Sequence, residues 1–381
     1  MKLNQLIRDF LFLIFALYYI LNILYTEGSV YSQICIVIII LISGVYFIKT
    51  LLLDNKNSLL YSAWTLLLLL NIIGFSLDFD LSEGQTRDMF KEVLGCMLPF
   101  YPFYYFAKKD MLKASHLIRF ILIMLPIFII LFFSVERQIL LNRGTNAGDV
   151  VVNTAYQFVG LIPYVFLIRK NKLLSVAFML VIIFFIIQGS KRGAIVVGFI
   201  GLLMYVYYQM KTLEKNNRIL GFFMVIIILI GLGVFTYKTL VDNRYLLIRM
   251  NALLQGDTSN RTEIYGTLLD AWYNSENIIN LLFGFGFAAS LDIMGSFAHN
   301  DWLELLTNFG LLGVFVYLFF FYALLKCYLN KELSVDKRIL IITITLMWFL
   351  TSLFSMGYTS FGKFTQSILL GFLIGTERRS I

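Results

Sequence analysis

Charge is scarce in this chain of 381 residues. Asp, Glu, Lys and Arg make up 14% of it, against a hydrophobic share of 59% and a mean hydropathy of +0.81. Soluble domains carry about a quarter charged residues, so composition excludes a soluble globular protein and places the chain in a membrane. Cysteine is nearly absent too. Cys35, Cys96 and Cys327 lie within or beside apolar runs, with neither metal-ligand spacing nor an even count, which excludes a disulfide framework and a zinc module and leaves packing residues. Only two histidines occur, His116 and His299. Long polar stretches are missing as well: there is no soluble domain to detach and no low-complexity linker, so residues 1–381 read as one integral membrane domain. No small-residue cleavage site follows Lys2 and Arg8, so the first apolar run reads as an uncleaved helix. The net charge of +8 does not point to nucleic acid here; Lys and Arg hold cytoplasmic loops in place.

What the chain does have is apolar runs of the length that crosses a hydrocarbon core, about 17 to 25 residues. Their pattern predicts an all-α polytopic protein with about twelve transmembrane helices, near 8–25, 31–52, 58–77, 91–107, 117–135, 150–168, 172–189, 193–210, 219–240, 305–328, 338–357 and 359–376. Pro99 and Pro102 interrupt the fourth. Positive charge tests the count, because retained cytoplasmic loops are rich in Lys and Arg. Alternate assignment of the loops puts 20 of the 31 basic residues on one side, while 16 of the 23 acidic residues fall on the other. This places both termini in the cytoplasm and the longest loop, 242–301, on the outer face.

Four places carry polarity that packing alone does not ask for. Gly189–Gly193 reads GSKRG between two short apolar runs. Arg192 there stands at a helix N-terminus, where a guanidinium and exposed N–H groups make an anion site; otherwise it and Lys191 form a turn that snorkels to headgroups. Gln255–Trp272 begins with the cap-like pair Ser259-Asn260 and continues with Ile264, Leu268, Leu269 and Trp272 on one side, the pattern of a helix lying along the outer interface. Arg261, in the first turn, opposes the helix dipole unless it holds an anion or pairs with Glu263 or another loop acid. Ser296–Gly310 reads SFAHNDWLELLTNFG. His299 is either structural or, as the side chain suited to moving a proton near neutral pH, functional, with Asn300, Asp301 and Glu304 as neighbours able to orient it. His116, among Lys108, Lys109, Lys113 and Arg119, reads as a residue facing headgroups. Asp78-Phe79-Asp80 has the D-x-D spacing with which sugar-nucleotide enzymes hold a metal, but it also fits a solvated surface, and no further ligand cluster completes a metal site. Phe283–Phe287, FGFGF, lacks the βαβ context of a dinucleotide fingerprint.

At these residues the chain resembles the bacterial O-antigen ligase and O-antigen polymerase superfamily. The likeness rests on Ser190-Lys191-Arg192, on Arg261 with Tyr265 four residues later, and on GFGF followed by AHNDWLELLTNFGLLG, all within about 188–315. The resemblance implies a GT-C-like, inverting, metal-independent glycosyltransferase with no cofactor, acting on undecaprenyl-diphosphate-linked glycans at the outer face of a bacterial cytoplasmic membrane. It implies that Arg192 and Arg261 bind the donor diphosphate, with Lys191 in support, and that His299 acts at the acceptor. Partners on this reading are the lipid-linked donor, a glycan acceptor, membrane lipid, a chain-length regulator and a flippase. Polymerases of O-antigen or capsule repeat units and ligases that move finished glycan to lipid A-core or another acceptor share these motifs. From a different class, a lipid-linked oligosaccharide flippase or transporter would place its polar groups on interrupted helices near mid-membrane.

Overall fold

The computed structural model describes residues 2–25, 28–53, 58–77, 84–143, 151–212 and 261–376, with a few positions between 213 and 260. Their helices are α1 (Lys2–Leu24), α2 (Val30–Leu53), α3 (Leu59–Leu77), α4 (Gly84–Met97), α5 (Phe100–Lys108), α6 (Ala114–Arg143), α7 (Ala155–Val165), α8 (Lys172–Gln188), α9 (Arg192–Thr212), α10 (Arg261–Tyr273), α11 (Ile278–Phe283), α12 (Ala289–Met294), α13 (Asp301–Leu329), α14 (Val335–Phe354) and, after a 3₁₀ turn at Phe361–Lys363, α15 (Phe364–Gly375). No strand occurs among the described residues. Seven of these helices, α1, α2, α3, α6, α9, α13 and α14, are long and apolar enough to cross a membrane. The protein is thus an α-helical membrane protein. Of the run expected at 219–240 only a few positions are among the described residues.

Local chemistry explains where the elements stop. The run expected as one span at 91–107 is two helices. Pro99 ends the ladder of α4 and stands at the N-cap of α5, and Pro102 falls in the first turn of α5, where a missing N–H costs no intrahelical bond. Asn171 caps α8 by accepting from Leu174 N at 3.0 Å, and Ser334 caps α14 by accepting from Lys337 N.

Two compact units result. One comprises Tyr19–Glu27 and Ala114–Thr258. Within it Phe158 stacks on Phe185 at 5.0 Å, Phe132 meets Phe185 edge-on at 5.3 Å, and Gly198 lets α9 approach Ile186 of α8. The other comprises Met1–Tyr18, Gly28–Lys113 and Ser259–Ile381. Its centre is aromatic: the Trp64 ring lies 5.4 Å from Phe100, 5.6 Å from Phe320 and 5.6 Å from Trp348. Such pairs contribute about 0.5–1.5 kcal/mol each beyond the area they bury. Gly371 and Gly375 of α15 lie against the backbone of α5, the small-residue contact by which apolar helices pack without a hydrophobic driving force. Basic side chains satisfy carbonyls at element ends: Arg8 donates to Met111 O, Lys337 to Thr376 O, and Arg338 Nε to Tyr328 O at 2.8 Å.

The helix after the long loop departs from expectation. Residues 305–328 read as one straight span, but the backbone of α13 turns at Gly310, with φ 60° and ψ −151°. In a straight helix the 19-residue step from Trp302 to Phe321 would cover about 28 Å. Here the two rings stack at 5.7 Å, Trp302 also meets Tyr317 at 4.9 Å, and Gly313 abuts Leu305 O. The first limb, 301–309, therefore folds back along the second, 311–329, and of the two only the second has the length of a crossing. The physical cause is glycine. This φ/ψ region is open to glycine alone, and a Cβ at 310 would lie 2.5 Å from Leu282 C, 2.6 Å from Phe283 N and 2.7 Å from Gly284 N.

Candidate functional site

The reversal at Gly310 frees carbonyls that a continuous helix would have bonded, and the FGFGF segment satisfies two of them. Phe285 N donates to Thr307 O at 2.8 Å and Gly286 N to Asn308 O at 3.2 Å. Gly284 and Gly286 have φ of 78° and 113°, and a Cβ on Gly284 would fall on the Asn308 and Phe309 backbone. The glycines of GFGF and the glycine of NFG are thus two halves of one joint. Non-helical backbone at such a position is tolerated because these hydrogen bonds satisfy its polar groups within the protein.

That joint directs the first limb back into the fold, where its two acids are buried. Asp301 Oδ1 accepts from Gly357 N at 2.8 Å, and Oδ2 accepts from the Tyr317 hydroxyl at 2.6 Å. Tyr317 in turn accepts from Trp348 Nε1 at 2.9 Å. Lys363, also buried, interacts electrostatically with Asp301. Glu304, one turn on, accepts from Ala298 N through Oε1 at 2.5 Å and from Ser290 Oγ through Oε2 at 2.7 Å. Buried carboxylates persist when their oxygens are filled in this way. Asn300 is the N-cap: Oδ1 accepts from Trp302 N at 2.9 Å and Leu303 N at 3.2 Å, while Nδ2 donates to Leu353 O at 3.3 Å near the end of α14.

Between these anchored neighbours stands His299. Glu304 holds Ala298 before it, Asn300 is locked after it, and its own φ of 53° is left-handed. The residue is exposed. A non-glycine residue held in this region is a mark of imposed conformation. Asn300, Asp301 and Glu304, expected to orient His299, make their hydrogen bonds to other groups. Asn300 and Glu304 fix the backbone on either side of it, and Asp301 ties the start of the limb to Tyr317 and Gly357.

Arg261 belongs to the same unit. It is the first residue of α10, half-buried, and α10 packs on α12 and α13. Among the described residues the ion pairs are Arg8–Asp9 and Lys91–Asp88, so the pairing of Arg261 with Glu263 does not form. Of the expected apolar stripe on α10, Leu268 is buried and Leu269 exposed, and Trp272 donates to Leu281 O at 3.2 Å. Ser259 and Asn260 lie outside the described residues, as do Asp78 and Asp80.

Arg192 belongs to the other unit and opens α9, half-buried beside Lys191. The turn before it is tightly held. Gly189 O accepts from Val152 N at 3.0 Å, a Cβ on Gly189 would meet Ala155 Cβ at 2.8 Å, and Ser190 is buried at φ 53°. Arg192 therefore stands at a helix start, where N–H groups and the dipole favour an anion. His116 lies half-buried in the first turn of α6.

Tyr317, Trp348, Gly357 and Lys363 had no place in the sequence-based expectation. Their convergence on Asp301 depends on the reversal, and the one local sign of it was a glycine inside an apolar run. No family model matches the chain, and no curated protein matches it.

Proposed function

We propose that the protein is a polysaccharide polymerase: an inverting glycosyltransferase with about twelve spans and a GT-C-like plan, joining undecaprenyl-diphosphate-linked repeat units at the outer face of a bacterial cytoplasmic membrane, with both termini inside. The observation that carries this reading is the display of His299. His299 is an exposed residue at φ 53°, next to Ala298, whose N–H Glu304 accepts, and to the N-cap Asn300, in a unit where Arg261 heads a helix with no acid paired to it among the described residues. In the proposed reaction the acceptor hydroxyl oxygen attacks the anomeric carbon of the donor. His299 takes the hydroxyl proton, the bond from that carbon to phosphate oxygen breaks, and undecaprenyl diphosphate leaves with its negative charge met by Arg261 and Arg192. Ligase activity toward lipid A-core or another acceptor is the same chemistry with a different second substrate.

A lysine keeps the charge but not the planar fork. Arg192→Lys and Arg261→Lys are therefore expected to reach the membrane at normal levels and to lengthen lipid-linked repeat units roughly ten- to a hundredfold more slowly, the loss of one hydrogen bond to a charged group. Gel ladders from purified protein and purified lipid-linked repeats read this directly; polymer made at the native rate by either variant removes that arginine from the site. The reaction as proposed uses no metal, so extension should continue in excess EDTA and in an Asp78→Asn, Asp80→Asn double variant. Complete loss in EDTA with rescue by magnesium or manganese would restore the D-x-D reading.

A transporter reading draws on one observation, the interrupted helix α13 with buried charges beside it. In transporters such breaks line a cavity and leave polar groups for cargo. Here Phe285 and Gly286 bond to carbonyls at the break and the oxygens of Asp301 and Glu304 are taken by protein donors, while the side-chain amide of Asn308, buried beside the break, has no hydrogen-bond partner among the described residues. Movement of lipid-linked repeats across vesicles without their extension would favour the transporter.

A further inference from the structure

We propose that α11 is a membrane-seated segment whose Ile278, Ile279, Leu282 and Phe283 face is covered by lipid acyl chains, although it lies within the loop expected to be outside the membrane. These four positions fall on one side of a helical turn pattern, and all four are between 42% and 68% exposed. No charged residue occurs between Glu276 and Asp292. Monomeric proteins do not leave a contiguous face of this kind in water without a partner.

The joint at Gly310 identifies the partner by fixing the level of α11. The end of α11 abuts Gly310, since a Cβ there would lie 2.5 Å from Leu282 C and 2.6 Å from Phe283 N. Phe309, the next residue back, presses its ring on Gly74 of α3. Gly74 lies one turn before the end of α3, a helix with the length and hydropathy of a crossing. Leu282 and Phe283 are thus level with the last turn of a spanning helix, whose own Ile73 and Leu77 are exposed large apolar residues. The lipid that covers Ile73 and Leu77 is at the right height to cover α11, and the same contact carries on from Leu312 and Phe315, which begin the exposed apolar side of the crossing limb of α13. Above this level the chain turns polar at Asn274, Ser275, Glu276 and Asn277, with Asn277 capping α11. Because Trp272 donates to Leu281 O, the seat of α11 also fixes the far end of α10, the helix that begins with Arg261.

The test uses the full chain in vesicles of phosphatidylcholine and phosphatidylglycerol. The native cysteines are all buried, so a thiol-reactive, polarity-sensitive dye can be placed at Ile279→Cys and, for comparison, at Glu276→Cys, with the unsubstituted chain giving the labelling background. At 279 the emission is expected to shift to the blue, to be quenched several-fold more by lipids brominated on their acyl chains than at 276, and to be shielded from aqueous iodide. Iodide quenching at 279 equal to that at 276 overturns the proposal. Shielding from both quenchers, together with a 279-to-279 cross-link between chains, also overturns it, in favour of a second copy as the cover. Leu282→Cys provides the same readout if Ile279→Cys does not reach the membrane. None of these outcomes depends on glycosyl transfer, so failure here leaves the proposed activity untouched.

Discussion

Replacing Gly310 by alanine is expected to leave little correctly folded protein. Two costs add at this position. A φ of 60° with ψ of −151° belongs to glycine, and forcing an L-residue into it costs on the order of 1–3 kcal/mol. The new methyl would also press on Leu282, Phe283 and Gly284, all backbone and therefore unable to swing aside; overpacking of this kind costs typically a further 1–3 kcal/mol. A small protein's whole margin is about 5–15 kcal/mol. If the strain is relieved instead by straightening α13, Asp301 leaves Tyr317 and Gly357, and Glu304 leaves Ala298 and Ser290. Two carboxylates would then have to find new partners. The measurement is the yield of monodisperse protein in detergent and its thermal aggregation midpoint, with Gly231→Ala as the comparison, a position where an added Cβ meets nothing within 4 Å. Protease sensitivity in 274–300 should rise together with the fall in midpoint. A Gly310→Ala protein with the native midpoint would mean that the limb is not held back as described.

The reversal also explains how far the sequence could be read. Helical membrane character follows from hydropathy alone, because apolar runs of that length have no other stable home. The break at Pro99 was visible because proline acts on its own backbone. The reversal at Gly310 was not, since hydropathy is the same for a limb that continues a helix and for one that folds back on it, and Leu305 to Tyr328 reads as an unbroken apolar run either way. The site was legible in part for the same reason. His299 and Arg261 stand out as polar groups in an apolar chain, whereas Tyr317 and Trp348 look like ordinary core or interface aromatics until Asp301 is brought to them. Asp301 and Glu304, three apart and on one helical face, read as neighbours of the histidine. In the fold both are taken up by protein donors, Glu304 by Ala298 N and Ser290 and Asp301 by Gly357 N, which the sequence does not disclose.

Removing the imidazole should slow the proposed reaction without stopping it. General-base catalysis contributes about 10²- to 10⁴-fold, so His299→Ala is expected to lose that much in rate while still binding the donor, whose diphosphate is assigned to the arginines. The rate of the native protein should climb with pH as an imidazole gives up its proton, since the neutral ring accepts the acceptor's proton, and that limb should vanish in His299→Ala. Glu304 supplies a second handle, because it accepts from the N–H of Ala298, the residue before His299. In Glu304→Gln the amide oxygen can keep Ala298 N and the amide nitrogen can donate to the Ser290 hydroxyl, so both contacts survive and activity should stay within about tenfold of native. Glu304→Ala abandons both, leaves two buried donors unpaired, and should lose the display of His299 as well as stability. His116→Ala is the control and should behave as native. If His299→Ala polymerises at the native rate, the base must be sought elsewhere, and Asp301 and Glu304, both fully buried, would need a path from the acceptor to reach its proton. If His299→Ala instead fails to bind the lipid-linked donor, the histidine belongs with the diphosphate, and the division of labour between it and Arg261 is the reverse of the one proposed.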